Sequence, residues 1–223
     1  MKIAVFTRSM NEEYYQLMTS LLPNDVECHR MTGYNHWSDA NTYLEHIINF
    51  SCQNEIDYAI NIDEDCFIHD WDLVEYIIQE MTIEGYTHAG MPDGGCHVGR
   101  LRSYKVHNPF FNVFKVGICK DILYGGAQWI LKGNQKTPDF KQMPYEFDVE
   151  HYVEPFDEFF TKLHDNGYPY FLYSDMHEDG ISTILKYESI SFALHTWYSR
   201  DASHQERILQ RFEEAKAFRN GNI

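Results

Sequence analysis

The sequence is poor in basic residues. It has 18 lysines and arginines against 34 aspartates and glutamates in 223 residues, which gives a formal net charge of −16. This balance argues against electrostatic binding to nucleic acid or to an anionic membrane surface as the main task. Aromatic residues make up 16% of the chain, so the acidity does not indicate disorder. The composition therefore predicts a folded, acidic chain with room for one sizeable core.

The chain also lacks paired cysteines and long apolar runs. Its five cysteines are scattered, and none belongs to a Cys-x-x-Cys pair. An odd, dispersed set favours a reducing compartment over a disulfide framework, so we expect a cytoplasmic protein. The apolar run at 3–6 is too short for a secretory signal, and no run approaches the roughly 18 residues of a membrane span. We expect no integral membrane segment.

The first half contains alternating strand and helix patterns. Runs rich in apolar and β-branched residues predict strands at 2–7, 26–31, 58–62 and 87–91. Apolar residues at helical spacing predict helices at 11–22, from 37 onwards and at 71–81. This alternation is typical of βαβ units. We predict an α/β fold with a Rossmann-type, mostly parallel sheet flanked by helices in a single domain.

The second half has a weaker pattern. The segment 92–108 contains three glycines and no periodicity, which predicts a long loop. Further along, the pattern predicts strands at 109–118, 168–173 and 189–194, helices at 155–164 and 206–218, and a polar, irregular stretch at 133–152. We divide the single domain 1–223 into a regular half, residues 1–91, and a less regular half, residues 92–223.

Two aspartates directly follow the third predicted strand. Asp63 and Asp65 are two residues apart in an extended segment, so their side chains share a direction. Ligands of open α/β sheets collect at this end of the strands. Converging carboxylates need a cation or a donor between them, and such oxygen ligands suit Mg²⁺ or Mn²⁺. The competing interpretation is a solvated acidic turn that caps the helix beginning near Asp70.

A histidine ends the last predicted strand. His195 follows the apolar segment 189–194 and precedes Trp197 and Tyr198. It can be a third metal ligand, because neutral imidazole binds metal ions readily. It can equally be a core residue that hydrogen-bonds the backbone. The residues alone leave both interpretations open.

Four features, taken in order, resemble the GT-A glycosyltransferases. They are Thr7-Arg8-Ser9, Trp37-Ser38-Asp39-Ala40-Asn41, Asp63-Glu64-Asp65 and His195. Each motif is short, and their order along most of the chain carries the resemblance. It implies a GT-A-like fold whose first 91 residues bind a nucleotide-diphosphate sugar, with UDP expected from its frequency in the family. The sugar would pass to a hydroxyl of a saccharide or another acceptor.

The resemblance also implies roles for individual residues. Those implied to contact the nucleotide are Thr7, Arg8, Asp39 and Asn41. Those implied to hold Mn²⁺ or Mg²⁺ are Asp63, Asp65 and His195, with Asp63 also able to bind the ribose. A metal-bridged diphosphate leaves readily because its developing negative charge is neutralised as the glycosidic bond breaks.

A further segment resembles the start of the family's base-bearing helix. Inverting members carry a Glu-Asp pair there, whose Asp deprotonates the acceptor hydroxyl, whereas here Pro155 follows Glu154. Proline is tolerated in a first helical turn, so the helix prediction stands. Glu154 and Asp157 are the candidates for the base, although both can simply complement the helix dipole. Inverting or retaining stereochemistry stays open.

One stretch reverses the sign of the charge. Residues 98–106 contain Arg100, Arg102 and Lys105 and no acid. Such a segment suits a loop that closes over a diphosphate or an anionic acceptor. Arg200 is a further candidate for the diphosphate. The competing interpretation is an ordinary solvated loop.

Three other functions fit part of the pattern. A nucleotidyltransferase shares the fold class and the metal, but it usually carries a glycine-rich loop after the first strand. Residues 6–10 contain no glycine. A haloacid-type phosphatase carries its Asp-x-Asp after the first strand rather than the third. A catalytically inactive GT-A-like binding module is the non-enzymatic alternative, and Pro155 keeps it open. The donor sugar, the acceptor and the oligomeric state are not predicted.

Overall fold

A computed structural model describes residues 1–97, 100–125, 146 and 154–221. The strands of this part of the chain are Ile3–Arg8 (β1), Glu27–Met31 (β2), Tyr58–Ile62 (β3), Cys66–Ile68 (β4), His88–Asp93 (β5), Ser103–Lys115 (β6), Pro169–Phe171 (β7), Tyr173–Met176 (β8), Thr183–Tyr187 (β9) and Ile190–His195 (β10). Its α-helices are Glu12–Ser20 (α1), Ala40–Gln53 (α2), Trp71–Glu84 (α3), Val116–Tyr124 (α4), Asp157–Asn166 (α5) and Gln205–Arg219 (α6). Short 3-10 turns precede α2 and α6 at Trp37–Asp39 and Ala202–His204.

The larger sheet is mostly parallel. Its strand order is β2-β1-β3-β6-β5-β7. Strand β1 runs parallel to β2 and β3, and β5 runs parallel to β7. Only β6 is antiparallel to its neighbours β3 and β5. The predicted α/β fold with a mostly parallel sheet flanked by helices is confirmed.

Two apolar clusters cover the two faces of this sheet. Successive side chains of a strand point to opposite faces, and β1 shows this directly. Val5 packs in the cluster that holds the buried residues of α1, α3 and α6. Ala4 and Phe6 pack in the cluster that holds those of α2, α4 and α5. The helices therefore lie on both faces and leave the carboxyl edge of the strands accessible.

A second, antiparallel sheet was not predicted. Its strand order is β4-β10-β9-β8. Strand β4 begins at Cys66, immediately after the acidic triplet, and pairs with β10 so that His195 lies opposite Cys66. The sequence hides β4 because three buried residues are too few to show a period. This pairing places the end of β10 beside the end of β3.

The middle of the chain differs from its prediction. The loop predicted at 92–108 is shorter, because β5 extends to Asp93 and β6 already begins at Ser103. The strand predicted at 109–118 ends at Lys115, and the next residue begins α4. The interior of β6 is buried on both faces, so its apolar run passes into that of α4 without a change of period.

One predicted strand is in fact two. The segment 168–173 is divided between β7 and β8, which belong to different sheets. The irregular stretch predicted at 133–152 falls outside the described residues, apart from residue 146.

Helices α1 and α3, on the same face of the sheet, are each capped at the N-terminus by a side chain. The Asn11 side chain accepts hydrogen bonds from the backbone of Glu13 and Tyr14, and that of Asp70 accepts one from Leu73. The cap of α3 is thus Asp70 itself rather than the acidic triplet. None of the helices in the described ranges combines the length and the apolar character that crossing a bilayer requires.

Candidate functional site

Asp63, Asp65 and His195 converge where β3 ends. Each offers a possible ligand atom, and these atoms lie within 4.8 Å of one another. Asp65 and His195 are buried, whereas Asp63 is partly exposed. Among the residues that the structure describes, this is the one group of three or more His, Cys, Asp or Glu side chains with such spacing. The cluster could hold a metal ion.

The environment of His195 bears on its two interpretations. Its ring stacks on Phe110 at a centroid distance of 4.1 Å, and its Nε2 lies 3.4 Å from Asp65 Oδ1. Its Nδ1 is buried and has no hydrogen-bond partner in the described part of the chain. A core histidine would satisfy that nitrogen, because a buried polar atom without a partner costs stability. The nitrogen close to Asp65 is Nε2, and a ring nitrogen within 4.8 Å of both carboxylates is consistent with a ligand.

The two aspartates respond to burial in opposite ways. Burial raises the pKa of Asp63 to about 6; Arg8 opposes this rise and the charge on Asp65 adds to it. Burial would also raise the pKa of Asp65, but the charge and hydrogen bond of His195 outweigh it and hold that pKa below its ordinary value. Asp65 therefore has His195 as a close partner, whereas Asp63 has no comparable partner among the described residues.

The middle acid of the triplet points to a different element. Glu64 is buried, and one of its oxygens accepts hydrogen bonds from Ser9 Oγ at 2.7 Å, Met10 N at 3.0 Å and Asn11 N at 2.9 Å. These donors all belong to the segment between β1 and α1. Glu64 therefore ties the turn that bears both aspartates to the loop after the first strand. Sequence reasoning did not assign it this role.

A cavity of about 420 Å³ opens beside the cluster. Its lining includes four acids, Asp63, Glu64, Asp65 and Asp201. The arginines in its lining are Arg8, Arg100 and Arg200. Aromatic residues Trp37, Trp197 and Tyr198 complete much of the wall. A site with both oxygen ligands for a cation and guanidinium groups for an anion suits a metal-bound phosphate.

Arg8 retains spare donor capacity. Its guanidinium lies 5.7 Å from the centre of the Tyr43 ring, and its Nη1 is buried without a hydrogen-bond partner. Arg200, in contrast, is exposed, and it belongs to the 197–201 segment that lines the cavity. Thr7, the neighbour of Arg8, is fully buried and does not line the cavity. Of this pair, Arg8 is the residue placed to meet an anion.

Arg100 is committed to two carboxylates. Its Nη2 lies 3.3 Å from Asp93 Oδ1 and 3.1 Å from Glu154 Oε1, and its guanidinium lies 5.4 Å from the Trp197 ring centre. Asp93 is fully buried and also accepts a hydrogen bond of 2.6 Å from Asn108 Nδ2. The positive charge of Arg100 is therefore largely balanced within the protein.

Arg102 lies away from the lining. Its Nε donates to the carbonyl oxygen of Gly95 at 2.7 Å. Lys105, from the same basic stretch, forms an ion pair of 2.9 Å with Asp165. The structure thus brings one of the three basic residues of this stretch to the cavity.

Glu154 reaches the cavity through its partners. Its Oε2 accepts from Trp37 Nε1 at 3.1 Å and its Oε1 from Arg100, and both partners line the cavity. Burial raises the pKa of Glu154, and Asp93 adds to the rise while Arg100 reduces it. Asp157 lies at the start of α5 and is not part of the lining; its N–H donates to the Glu154 carbonyl at 3.0 Å.

Asp39 and Asn41 make local contacts at the start of α2. Asp39 Oδ2 accepts from the His36 N–H at 2.8 Å, and Asn41 Nδ2 donates to Glu45 Oε1 at 3.0 Å. Neither residue lines the cavity, but Trp37 of the same segment does and is 55% exposed. Within the segment 37–41, Trp37 therefore lines the cavity, whereas the predicted Asp39 and Asn41 do not.

The fold and the site define an α/β protein with a candidate metal site at the carboxyl edge of its larger sheet. No protein-family model matches the chain, and no curated protein matches it. Among solved structures, it is similar to A197 from STIV, with 15% identity, a TM-score of 0.48 and coverage of 89% of this chain and 95% of that one.

A second solved structure is a glycosyltransferase involved in the glycosylation of the major capsid of PBCV-1. The likeness has 12% identity and a TM-score of 0.39 and covers 58% of this chain and 69% of that one. Because both TM-scores are below 0.5, we derive the function from the site alone.

Proposed function

We propose that the chain is a metal-dependent glycosyltransferase that uses a nucleotide-diphosphate sugar, with UDP as the first nucleotide to test. One observation carries the proposal: Asp63, Asp65 and His195 converge in a cavity that Arg8 and Arg200 also line. Cation ligands and unneutralised guanidinium groups in one cavity are what a metal-bound diphosphate requires. The acceptor is a hydroxyl of a saccharide or of another molecule.

The donor set fits a hard divalent ion. Asp65 and His195 would hold Mn²⁺ or Mg²⁺ directly, and Asp63 would hold the ion or the ribose. When bound, such an ion neutralises charge that develops on the diphosphate leaving group. The convergence of the three ligand atoms and the unfavourable burial of the Asp63 carboxylate both support a cation at this place.

The rest of the donor would be bound by the first half of the domain, residues 1–91. Arg8 and Arg200 would bind the diphosphate, because neither is neutralised by a carboxylate in direct contact within the described residues. Thr7, Asp39 and Asn41 remain proposals for the base side of the nucleotide. Residues 92–223 would supply the acceptor side.

Glu154 is our proposal for the general base. Arg100 and Trp37 hold its two oxygens at the cavity, and its raised pKa brings the carboxylate closer to the range in which proton transfer at neutral pH is efficient. Asp157 is the second candidate. Arg100 would then act by holding Glu154. Arg102 bonds the Gly95 carbonyl and would not bind the donor.

Isothermal titration with Mn²⁺ and a panel of nucleotides tests the proposal most directly. We expect UDP to bind wild type when Mn²⁺ is present, and Asp65→Ala to bind neither ligand measurably. Asp121→Asn is the matched control, because Asp121 is exposed on α4. If wild type binds no nucleotide at millimolar concentration in the presence of the metal, the proposal is wrong.

An inactive binding module is the second candidate, since Pro155 stands where inverting relatives would carry the base. It would bind the donor and the metal but would not turn the donor over. Slow hydrolysis of the donor can be measured by the release of free sugar. Hydrolysis by wild type that is lost in Asp65→Ala would distinguish an enzyme from such a module. Binding without turnover over many hours would favour the module.

A further inference from the structure

Two consecutive aromatic residues after His195 have a left-handed backbone. The φ angles of Trp197 and Tyr198 are both +60°. Large L-residues adopt this conformation rarely, and it persists only where the surrounding structure holds it. Both residues belong to the wall of the cavity. The strained turn therefore lies at the candidate site and needs an identifiable restraint.

Arg207 of α6 supplies that restraint. Its Nη2 donates to the Trp197 carbonyl at 3.0 Å, and its Nη1 donates to the Thr196 carbonyl and to Ser182 Oγ. The planar guanidinium thus bonds two successive carbonyl groups of the chain at fixed relative positions. Arg207 is not part of the cavity lining, so it grips the turn from behind.

The gripped backbone is bonded directly to a candidate metal ligand. The Thr196 N–H donates to the Asp65 carbonyl at 3.0 Å, and Thr196 Oγ1 lies 3.4 Å from Asp65 Oδ2. The Trp197 ring lies 4.5 Å from that of His195, between centroids. Its indole N–H is anchored separately on Thr183 Oγ1 at 2.8 Å. A change in the turn would therefore move both Asp65 and His195.

We propose that Arg207 is a positioning residue that fixes the Thr196–Trp197 turn and thereby holds Asp65 and His195 in one metal-binding geometry. Its role in metal binding rests on the proposed function, whereas its hold on the turn does not. Residues behind metal ligands commonly affect metal affinity about 10- to 100-fold.

The chain offers a matched control one turn further along the same helix. Arg211 lies 3.2 Å from Glu214 and 3.7 Å from Asp179, and it contacts His177. Among the described residues, Arg211 makes no hydrogen bond or ion pair with the turn. Arg207→Met and Arg211→Met each remove a partly buried guanidinium from α6, so both should lower the melting temperature.

Two measurements separate positioning from general destabilisation. In the first, Mn²⁺ affinity is measured by titration and by the amplitude of the free-ion EPR signal. We expect Arg207→Met to bind Mn²⁺ about tenfold or more weakly than wild type. Arg207→Lys keeps the charge but cannot bond both carbonyl groups, so it should fall in between, and Arg211→Met should bind as wild type does.

In the second measurement, the tryptophans are replaced with 5-fluorotryptophan and the ¹⁹F resonance of Trp197 is assigned with Trp197→Phe. Without metal, this resonance should shift or broaden in both Arg207 variants and stay in place in Arg211→Met. If Arg207→Met does not fold, Arg207→Lys carries both measurements.

The outcomes distinguish the two proposals. Absence of Mn²⁺ binding by wild type would contradict the proposed function, and the Trp197 resonance would still decide the hold of Arg207 on the turn. Unchanged affinity and an unchanged resonance in Arg207→Lys would overturn the inference alone. Equal losses in Arg207→Met and Arg211→Met would overturn it as well.

Discussion

Asp63 carries its charge where the metal-free protein does not favour it. Burial raises the pKa of Asp63 to about 6, above its ordinary value, so folding favours its protonated form. The stability this group contributes is present below the unfolded pKa and is lost as the pH rises through about 6. A cation would reverse this effect, because it favours the ionised form.

Asp63→Asn should therefore stabilise the metal-free protein at pH 7.5, by about 1–2 kcal/mol or a few degrees of melting temperature. The gain should be smaller at pH 5, where Asp63 of the folded wild type is mostly protonated, and should vanish only below the unfolded pKa. The stabilisation by Mn²⁺ should be lost in the variant. Calorimetry at the two pH values with and without Mn²⁺ measures all three effects. Equal gains at both pH values would show that the ionised Asp63 carboxylate does not destabilise the metal-free protein.

Arg8 lines the same cavity as Asp63 and Asp65, the carboxylates that would hold a metal ion. Its charge lowers the pKa of Asp63, but it also repels a cation. We expect Arg8→Met to bind free Mn²⁺ at least as tightly as wild type does. The same variant should bind UDP with Mn²⁺ about tenfold more weakly, because a charge-assisted hydrogen bond to the anion is lost.

Titration of each ligand separately checks this opposition in sign. Arg219→Met is a suitable control, because Arg219 is exposed and bonds the Ser20 carbonyl outside the cavity lining. Parallel losses of both affinities in Arg8→Met would show that Arg8 only supports the fold.

At the scale of elements, Glu64 joins two segments that must stay in register. It connects the turn after β3 to the loop after β1 through one hydroxyl and two backbone donors. The same loop begins α1, whose cap is Asn11. The metal side and the nucleotide side of the proposed site thus share one buried carboxylate.

Glu64→Gln should destabilise the protein by about 1–3 kcal/mol, because an amide cannot accept from all three donors with the strength of a carboxylate. Nucleotide affinity should fall together with stability, since the loop that follows Arg8 loses its tie. Urea unfolding and UDP titration measure the two effects, with exposed Glu178→Gln as the control. A stable variant with normal UDP affinity would show that the tie is not needed.

Most elements of the first half and strand β10 could be predicted, but β4 and the second sheet to which both strands belong could not. Strands β1 and β3 alternate with clearly periodic helices, so the position of Asp63 and Asp65 at a strand end followed from the pattern. Strand β4 has three residues, and its pairing with β10 is set by long-range contacts that no local period records.

The site was predictable to the same extent as its elements. Asp65 and His195 could be named from strand ends, whereas Asp93 and Arg207 could not. Asp93 was hidden in a segment predicted as loop, and it matters because Arg100 and Asn108 both bond it. Arg207 belongs to an amphipathic helix, where nothing in the sequence distinguishes it from Arg211.

At the scale of the molecule, the charge of −16 conceals a local balance. An anionic donor approaches a protein of the same sign, so long-range electrostatics oppose the encounter. The opposition is reduced where Arg8 and Arg200 lie beside the acids. We expect UDP to bind faster as salt is added up to physiological strength, since screening weakens the repulsion. Stopped-flow association rates at several salt concentrations would test this sign, and a falling rate would contradict it.

The pairing of β4 with β10 also has a consequence for the order of folding. It joins Asp65 to Thr196, which are 131 residues apart in the chain. Contacts so distant in sequence close large loops and tend to form late. If the ion binds only once this contact exists, Mn²⁺ should slow unfolding while leaving the refolding rate nearly unchanged. The metal would then stabilise the completed fold without speeding its formation.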